Sequence, residues 1–396
     1  MNGQRPLRIA FLFDKFLPSR GGERYFSFLC QELAKRGHEV HVFATEVEAD
    51  SNSSYAVHLV PVVRYPRSLR ILSFLRNSRR TIKAEDFDII HGVASSPLVN
   101  VFNPHGGVEQ AYLKQEFSSI RSRLYRGYKL LKRYLFLRHY LEIWTQGEIY
   151  RGGRLKKVIA ISQMIKGDVV HYYGLPEEKI DVIFNSVDLD RFHPANRERF
   201  RQPKRKALAI DDRTVVLLFA GNNFRLKGLE TLLEALALLA ERFPAQPLHL
   251  LVAGRGSAAR YGRMARRLGI TNLATFLGPV SGMEQYYGAS DIYVHPTFYD
   301  SCSLTVLEAL ASGLPVVTSR FNGAADAITS DRYGRIVHDP GSAEELALSV
   351  APFLDETVRS EARDLARAAV EPYSPARNLE ETLRTYYAVA SDKGGT

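Results

Sequence analysis

Cysteine is nearly absent: Cys30 and Cys302 are the only two in 396 residues. They lie far apart and match no metal-ligand spacing, which leaves a reduced, cytosolic chain as the simplest reading. Long apolar runs are missing too. The first, Ile9 to Phe13, is closed at once by Asp14 and Lys15, too short for a secretory leader. No window reaches the roughly 18 uninterrupted apolar residues of a spanning helix, so any membrane contact is made from outside the hydrocarbon. There are no repeats and no low-complexity tract. Acid is short in one half only: residues 1–200 carry 31 Lys/Arg against 21 Asp/Glu, while residues 201–396 carry 22 of each. The whole net charge of +10 therefore belongs to the first half, and the halves face different partners.

What is present is the composition of a globular protein, 45% hydrophobic and 24% charged, at a length that predicts two domains. Short apolar runs alternate with amphipathic ones, as in α/β architecture. Leu7–Phe13 reads as a buried parallel strand, Glu23–Arg36 as a helix stopped by Gly37, and Val40–Ala44 as the next strand. Further strands are expected at Phe87–His91, Val158–Ile161 and Val182–Phe184, with Ser162 capping the helix that follows the second of these. A second series runs through Val215–Ala220, the helix Leu229–Phe243, Leu248–Ala253, Asp291–His295, a helix near Thr305–Ser312, and Pro315–Thr318. Helices near Glu344–Leu354 and Val358–Ala369 complete it. The polar, basic stretch Arg197–Asp212 reads as the inter-domain linker. The predicted division is 1–198 and 199–374, two doubly wound Rossmann-like domains, with a helix in 375–396, roughly Arg377–Ala390, returning to the first. Such sheets bind ligands outside the carboxyl ends of their strands, in a cleft between the two domains. That architecture leaves dehydrogenases, epimerases and transferases open.

Four segments carry candidate chemistry. Asp300-Ser-Cys-Ser-Leu-Thr-Val-Leu-Glu308 lies between a strand and a helix, with an acid at each end. Leu304 and Thr305 fall near the helix start, where free N–H groups and the macrodipole favour an anion by ~0.3–1 kcal/mol, up to ~2 when partly buried. Glu308 can accept from a ribose diol and Asp300 from sugar hydroxyls; the alternative is two acids serving local structure. Arg225 and Lys227, in Gly221–Gly228, can converge on a diphosphate, or be solvated surface. Each charge-assisted hydrogen bond contributes about 1.5–3 kcal/mol. Gly21-Gly22 lets the backbone approach a phosphate, or makes a plain tight turn; it lacks the three-glycine dinucleotide spacing. His105, in Asn103-Pro-His-Gly-Gly107, can orient an acceptor hydroxyl or the reacting sugar, or be a satisfied loop histidine.

In order along nearly the whole chain come Gly21-Gly22-Glu-Arg, Lys157-Val-Ile-Ala-Ile-Ser162, Asn185-Ser-Val-Asp188, Phe224–Gly228, Ala289-Ser-Asp-Ile-Tyr-Val-His-Pro296, Asp300–Glu308 and Ala311-Ser-Gly-Leu-Pro-Val-Val-Thr318. With these seven segments the chain resembles glycosyltransferase family 4, the retaining enzymes of GT-B fold, and most closely its lipopolysaccharide core glucosyltransferase I branch. The resemblance implies that Glu308 binds the donor ribose, Asp300 the transferred sugar, and Arg225 and Lys227 the diphosphate. Gly22 and the helix start at Leu304–Thr305 would give backbone N–H groups to the phosphates, Gly21 standing beside them. Arg255 and the Gly278–Ser281 loop, with Val280, would lie near the base. His105 stands where many relatives have an active-site His and the core branch often an Asp. Three positions depart from the pattern: Asp300 replaces a usual Glu, Ser186 a usual Gly, and Leu226 an Arg found in many core glucosyltransferases. The implied reaction is retaining transfer without a metal or other cofactor: a hexose, glucose, passes from a UDP-sugar to a lipid-linked saccharide such as the lipopolysaccharide inner core. The rivals are another nucleotide sugar used for a different glycolipid or exopolysaccharide, and a non-catalytic membrane or RNA-binding protein on the same fold. A UDP-GlcNAc 2-epimerase shares the architecture, but the cation loop and acid pair argue against it.

Tyr112–Lys157 carries 12 Lys/Arg, 3 Asp/Glu and nine aromatics, and Arg64–Lys83 seven basic residues and no acid. At helical spacing Leu124, Tyr128, Leu131, Leu135 and Tyr140 form one apolar face, flanked by Arg123, Arg126, Lys129, Lys132 and Arg133. Rings beside cations suit the headgroup layer of an anionic membrane, where each basic residue adds about 1 kcal/mol. A hairpin packing its rings inward and single-strand nucleic-acid binding are the alternatives. The expected location is the cytoplasmic face of the membrane.

Overall fold

The computed structural model describes residues 5–17, 21–48, 54–135 and 138–391, without the side chains of 21–24 and 132–138. The chain divides into two compact units. The first runs to Ala111, takes in Ser122–Phe184 and closes with the segment from Ala376; the second holds Asn185–Pro375 and the excursion Tyr112–Arg121.

The first unit is built on a seven-stranded parallel sheet. In spatial order its strands are Ala56–Leu59, Glu39–Ala44, Arg8–Leu12, Ile89–Gly92, Val101–Phe102, Lys157–Ala160 and Ile180–Val182. The chain starts in the interior, winds outward, then crosses back, so the order reverses beside Arg8–Leu12, the place where doubly wound sheets open a ligand crevice. Four of the five positions of Arg8–Leu12 are buried, as a strand covered on both faces requires. The helix Gly21–Lys35 follows it, and Gly37 takes φ +87° just beyond, as expected of a left-handed stop. Ser162 caps Gln163–Tyr173, its hydroxyl oxygen accepting from Ile165 N at 3.2 Å.

The last helix, Pro375–Ser391, belongs to this unit. Its Leu379, Leu383, Tyr386 and Val389 recur on one face and join the core of Phe11, Phe26 and Ile89. Polar bonds lock it: Tyr25 donates to Asn378 (2.5 Å), and Thr385 to Asp181 (2.7 Å).

The second unit has a six-stranded parallel sheet in the order Ala274–Gly278, Leu248–Ala253, Val215–Ala220, Ile292–His295, Val316–Ser319 and Gly334–Val337. All six residues of Val215–Ala220 are buried. Leu229, Leu232, Leu233, Leu236 and Leu239 of the helix Leu229–Arg242 cover one face, each adding about 1.5–3 kcal/mol by burial.

Arg197–Asp212 is not a linker. Asn196–Ala207 forms a helix of the second unit, and Arg197, Arg201 and Arg205, one turn apart on one face, all reach the buried Asp291. Arg205 is 1% exposed; its Nε donates to Ala289 O and its Nη1 to Thr214 O, each at 2.9 Å. Burial alone would raise the Asp291 carboxyl, but the three guanidiniums hold it below its usual value. A basic stretch reads as linker only while its buried counter-ion, 86 residues away, is unseen.

Candidate active site

In the second unit the site grows from the carboxyl end of Val215–Ala220. Phe224 and Leu226 are buried, leaving Arg225 and Lys227 half-buried at the sheet edge. Leu226, in the place of the family's frequent Arg, is thus an anchor, with Phe298 N donating to its carbonyl at 2.8 Å. Gly228 closes the loop at φ +80°, where a Cβ would stand 2.0 Å from Pro296 O, so only glycine lets the loop press on the turn after Ile292–His295.

Lys227 meets Asp300 directly. Its Nζ donates to Asp300 Oδ2 at 2.6 Å and to Tyr299 O at 3.2 Å. Burial alone would push Asp300 up; Lys227, then His295, outweigh it and hold the carboxyl well below the ordinary range. His295 is itself lowered, by burial first, and its Nε2 lies 3.6 Å from the same carboxylate oxygen, beyond a hydrogen bond. Asp300 is positioned by backbone as well: its N donates to Phe321 O (2.9 Å) and its O accepts from Gly323 N (2.8 Å).

The helix Leu304–Ala311 opens after Ser303 with no side-chain cap, so Leu304 and Thr305 present the first turn's backbone at the sheet edge. Asn185 Nδ2 braces the loop before it through Cys302 O at 3.2 Å. Tyr287 OH donates to Glu308 Oε2 at 2.9 Å, and Tyr293 OH to Thr305 Oγ1 at 2.7 Å, fixing both side chains on the helix face. Arg225 pairs with Glu116 at 3.3 Å. Arg255 follows Leu248–Ala253 with its N held by Asn222 Oδ1 at 2.9 Å and its side chain exposed, while Val280 is half-buried after Ala274–Gly278. Eight of the candidate residues therefore stand at the carboxyl edge of the second sheet.

Gly21, Gly22 and His105 stand at that edge of the first sheet. The two glycines open Gly21–Lys35. His105 lies in a turn closed by Gly107 N to Pro104 O (2.7 Å), its ring edge-on to Phe26 at 5.3 Å. It lines a cavity of about 340 Å³ with Phe13, Asp14, Lys15, Phe26, Val93 and Ala94. Burial, then the charge of His105, pushes the neighbouring His91 down to about 3, so its ring is neutral at pH 7 and meets the Tyr386 hydroxyl through Nδ1.

Residue reasoning missed Glu116, Tyr287 and Tyr293, and gave His295 no role. Tyrosines in otherwise apolar segments were the available signal, since a buried phenol needs a partner. Glu116 left none, for it lies 109 residues from Arg225.

Two family models match in series, Glycosyltransferase Family 4 over residues 19–191 and Glycosyl transferases group 1 over residues 200–371. The chain belongs to glycosyltransferase family 4. This family 4 enzyme is similar to the lipopolysaccharide glucosyltransferase WaaG of Escherichia coli K12, 25% identical over 342 residues, 85% of this chain and 87% of the relative. It is 34% identical to a D-inositol 3-phosphate glycosyltransferase of Catenulispora acidiphila over 227 residues, 54% of this chain and 51% of that one. The crystal structure of WaaG matches 94% of the chain with a TM-score of 0.77 at 23% identity. Anabaena HepE, solved in complex with UDP and glucose, matches 96% with a TM-score of 0.70 at 19% identity. At those identities the likeness speaks to the fold, which is GT-B.

Proposed function

We propose that this glycosyltransferase is retaining and transfers glucose from UDP-glucose to a lipid-linked saccharide such as the lipopolysaccharide inner core. The observation that carries the donor assignment is the Lys227–Asp300 pair beside the uncapped start of Leu304–Ala311. A cation, a helix N-terminus and an acid together suit a diphosphate joined to a sugar. Lys227 and Arg225 hold the diphosphate with the Leu304–Thr305 backbone. Asp300 holds the glucosyl hydroxyls, Glu308 the ribose, and Arg255 and Val280 flank the base. In the reaction the bond from glucosyl C1 to the β-phosphate oxygen breaks and a bond from C1 to the acceptor oxygen forms on the same face. The acceptor's proton passes to the departing diphosphate, whose growing charge the two cations stabilise without a metal. His105 orients the acceptor hydroxyl. The WaaG relative supports glucose and lipopolysaccharide, and UDP in the HepE complex supports the base.

The exposed face of Arg123–Leu135 supports attachment to the membrane bearing such an acceptor, at its cytoplasmic surface. Leu124 is 90% and Leu131 61% exposed, with Tyr128, and beyond the helix Tyr140 and Trp144, also open to solvent. The inward-packed alternative does not describe these side chains; those of Leu135, Lys132 and Arg133 lie outside the described residues. No helix among the described residues is long and apolar enough to cross a membrane.

The inositol phosphate relatives favour a second reading, an acceptor outside the lipopolysaccharide core. A screen of nucleotide sugars for hydrolysis and transfer, with and without EDTA, separates them. UDP-glucose as the best donor, EDTA without effect and transfer to a core lipid support the first reading; transfer only to a soluble cyclitol phosphate refutes it.

A further inference from the structure

The first unit holds a larger cavity, about 410 Å³, beside that of His105 and sharing Asp14, Val93 and Ala94 with it. Its volume falls in the range of small-molecule sites, about 300–1,000 Å³. It too sits at the carboxyl edge, after Arg8–Leu12, Ile89–Gly92 and Val101–Phe102, where the strand order reverses. Its lining carries both charges. Arg67 and Arg70 line it from the first turn of the helix Arg67–Thr81, which has no acid in that turn. Arg70 is held by Asp14 at 2.7 Å and Thr45 at 2.8 Å, whereas Arg67 makes no ion pair among the described residues. Glu109 and Glu142 line it too, with His139 Nδ1 2.7 Å from Glu109 Oε1, and Gln146 Oε1 accepting from Glu109 N at 3.1 Å. Ile71, Phe74 and Phe102 supply apolar lining.

Carboxylates, guanidiniums and rings lining one cavity are the complement of a polyol that carries an anion. The acids accept from hydroxyls, the rings cover C–H faces, and a guanidinium grips phosphate or carboxylate in bidentate fashion. The geometry points to this cavity as the acceptor-saccharide site, specific for a sugar bearing an anionic substituent, with Arg67 as the anion's main ligand, Arg70 beside it, and Glu109 and Glu142 holding hydroxyls. The assignment rests on the glycosyltransfer reading and adds to it the acceptor's charge. Arg67 and Arg70 thus leave the set of seven basic residues available to a membrane surface.

Calorimetry on the full chain tests it with mannose 6-phosphate, glucuronate, mannose and inorganic phosphate, each beside a UDP titration of the same preparation. Mannose 6-phosphate or glucuronate is expected to bind at least tenfold more tightly than mannose, and the stronger of the two tells phosphate from carboxylate. Inorganic phosphate is expected to bind at least tenfold more weakly than the charged sugar. Arg67→Gln, at an exposed position, should cost tenfold or more for that sugar, Arg67→Lys should restore part of it, and UDP affinity should stay within twofold in both. Equal affinity for charged and neutral sugars, inorganic phosphate as tight as the sugar, no sugar binding at all, or an unaffected Arg67→Gln overturns the assignment. Any of these with UDP binding intact refutes the cavity alone; absence of UDP binding in the unaltered protein refutes the donor reading instead.

Discussion

Removing the Lys227 ammonium tests the donor site from two directions. In the free protein this cation already spends a hydrogen bond on Asp300 at 2.6 Å, so an incoming diphosphate exchanges one anionic partner for another. A charge-assisted bond contributes about 1.5–3 kcal/mol, and part of it is offset by the loosened Asp300, which leaves about 1.5 kcal/mol for ground-state binding. Lys227→Ala should therefore weaken UDP about tenfold by calorimetry. Turnover should fall further, by ~100-fold or more in kcat/KM, because the cation meets its largest charge as the diphosphate departs. Far-UV circular dichroism should be unchanged. Unchanged UDP affinity and turnover in a folded Lys227→Ala protein would refute the reasoning, whatever sugar is carried.

The same pair predicts an acid signature. The folded Asp300 carboxyl is depressed, so its contribution is present above the unfolded value of about 3.9 and is lost as pH falls through the lower folded one. Lys227→Met should then be less stable than the unaltered protein at pH 7 by ~1–3 kcal/mol in urea unfolding, a gap that narrows below about pH 4; a gap independent of pH speaks against the pairing. Glu308→Ala should raise the donor KM about tenfold and hardly change binding of a ribose-free sugar phosphate; a pure kcat effect would contradict the ribose role. Asp291→Ala should cost ~3–5 kcal/mol in urea because it strands the buried Arg205 guanidinium, and a cost under ~1 kcal/mol would show that water reaches it. Leu124→Asp with Leu131→Asp should cut flotation with anionic vesicles tenfold or more at constant Tm, and equal flotation would dismiss that face as a membrane contact.

Much of the fold was legible because both sheets are parallel and buried on both faces, so their central strands stand out as uninterrupted apolar runs. Val215–Ala220 and Leu248–Ala253 match their expected limits residue for residue. Val101–Phe102, two residues long, and the edge strands Ala56–Leu59 and Gly334–Val337 were not legible, since short or half-exposed strands carry little periodicity. The helix Asn196–Ala207 was misread because what organises it is a single distant acid, Asp291. At the site, the residues implied by local motifs fall at carboxyl edges, as chain order alone suggests for such sheets. Their partners were not legible: Glu116 for Arg225, Tyr287 for Glu308, and Lys227 for Asp300 join positions 21 to 109 residues apart. The Lys227–Asp300 contact is the least foreseeable of these, since the motifs assign the two residues separate ligands.

The most direct test of the donor site is a crystal of the chain soaked with UDP-glucose. The diphosphate is expected within hydrogen-bond reach of Lys227 Nζ and the Leu304–Thr305 backbone, with the ribose on Glu308. A nucleotide bound away from the carboxyl edge of the second sheet, or no bound nucleotide at saturating concentration, would contradict it.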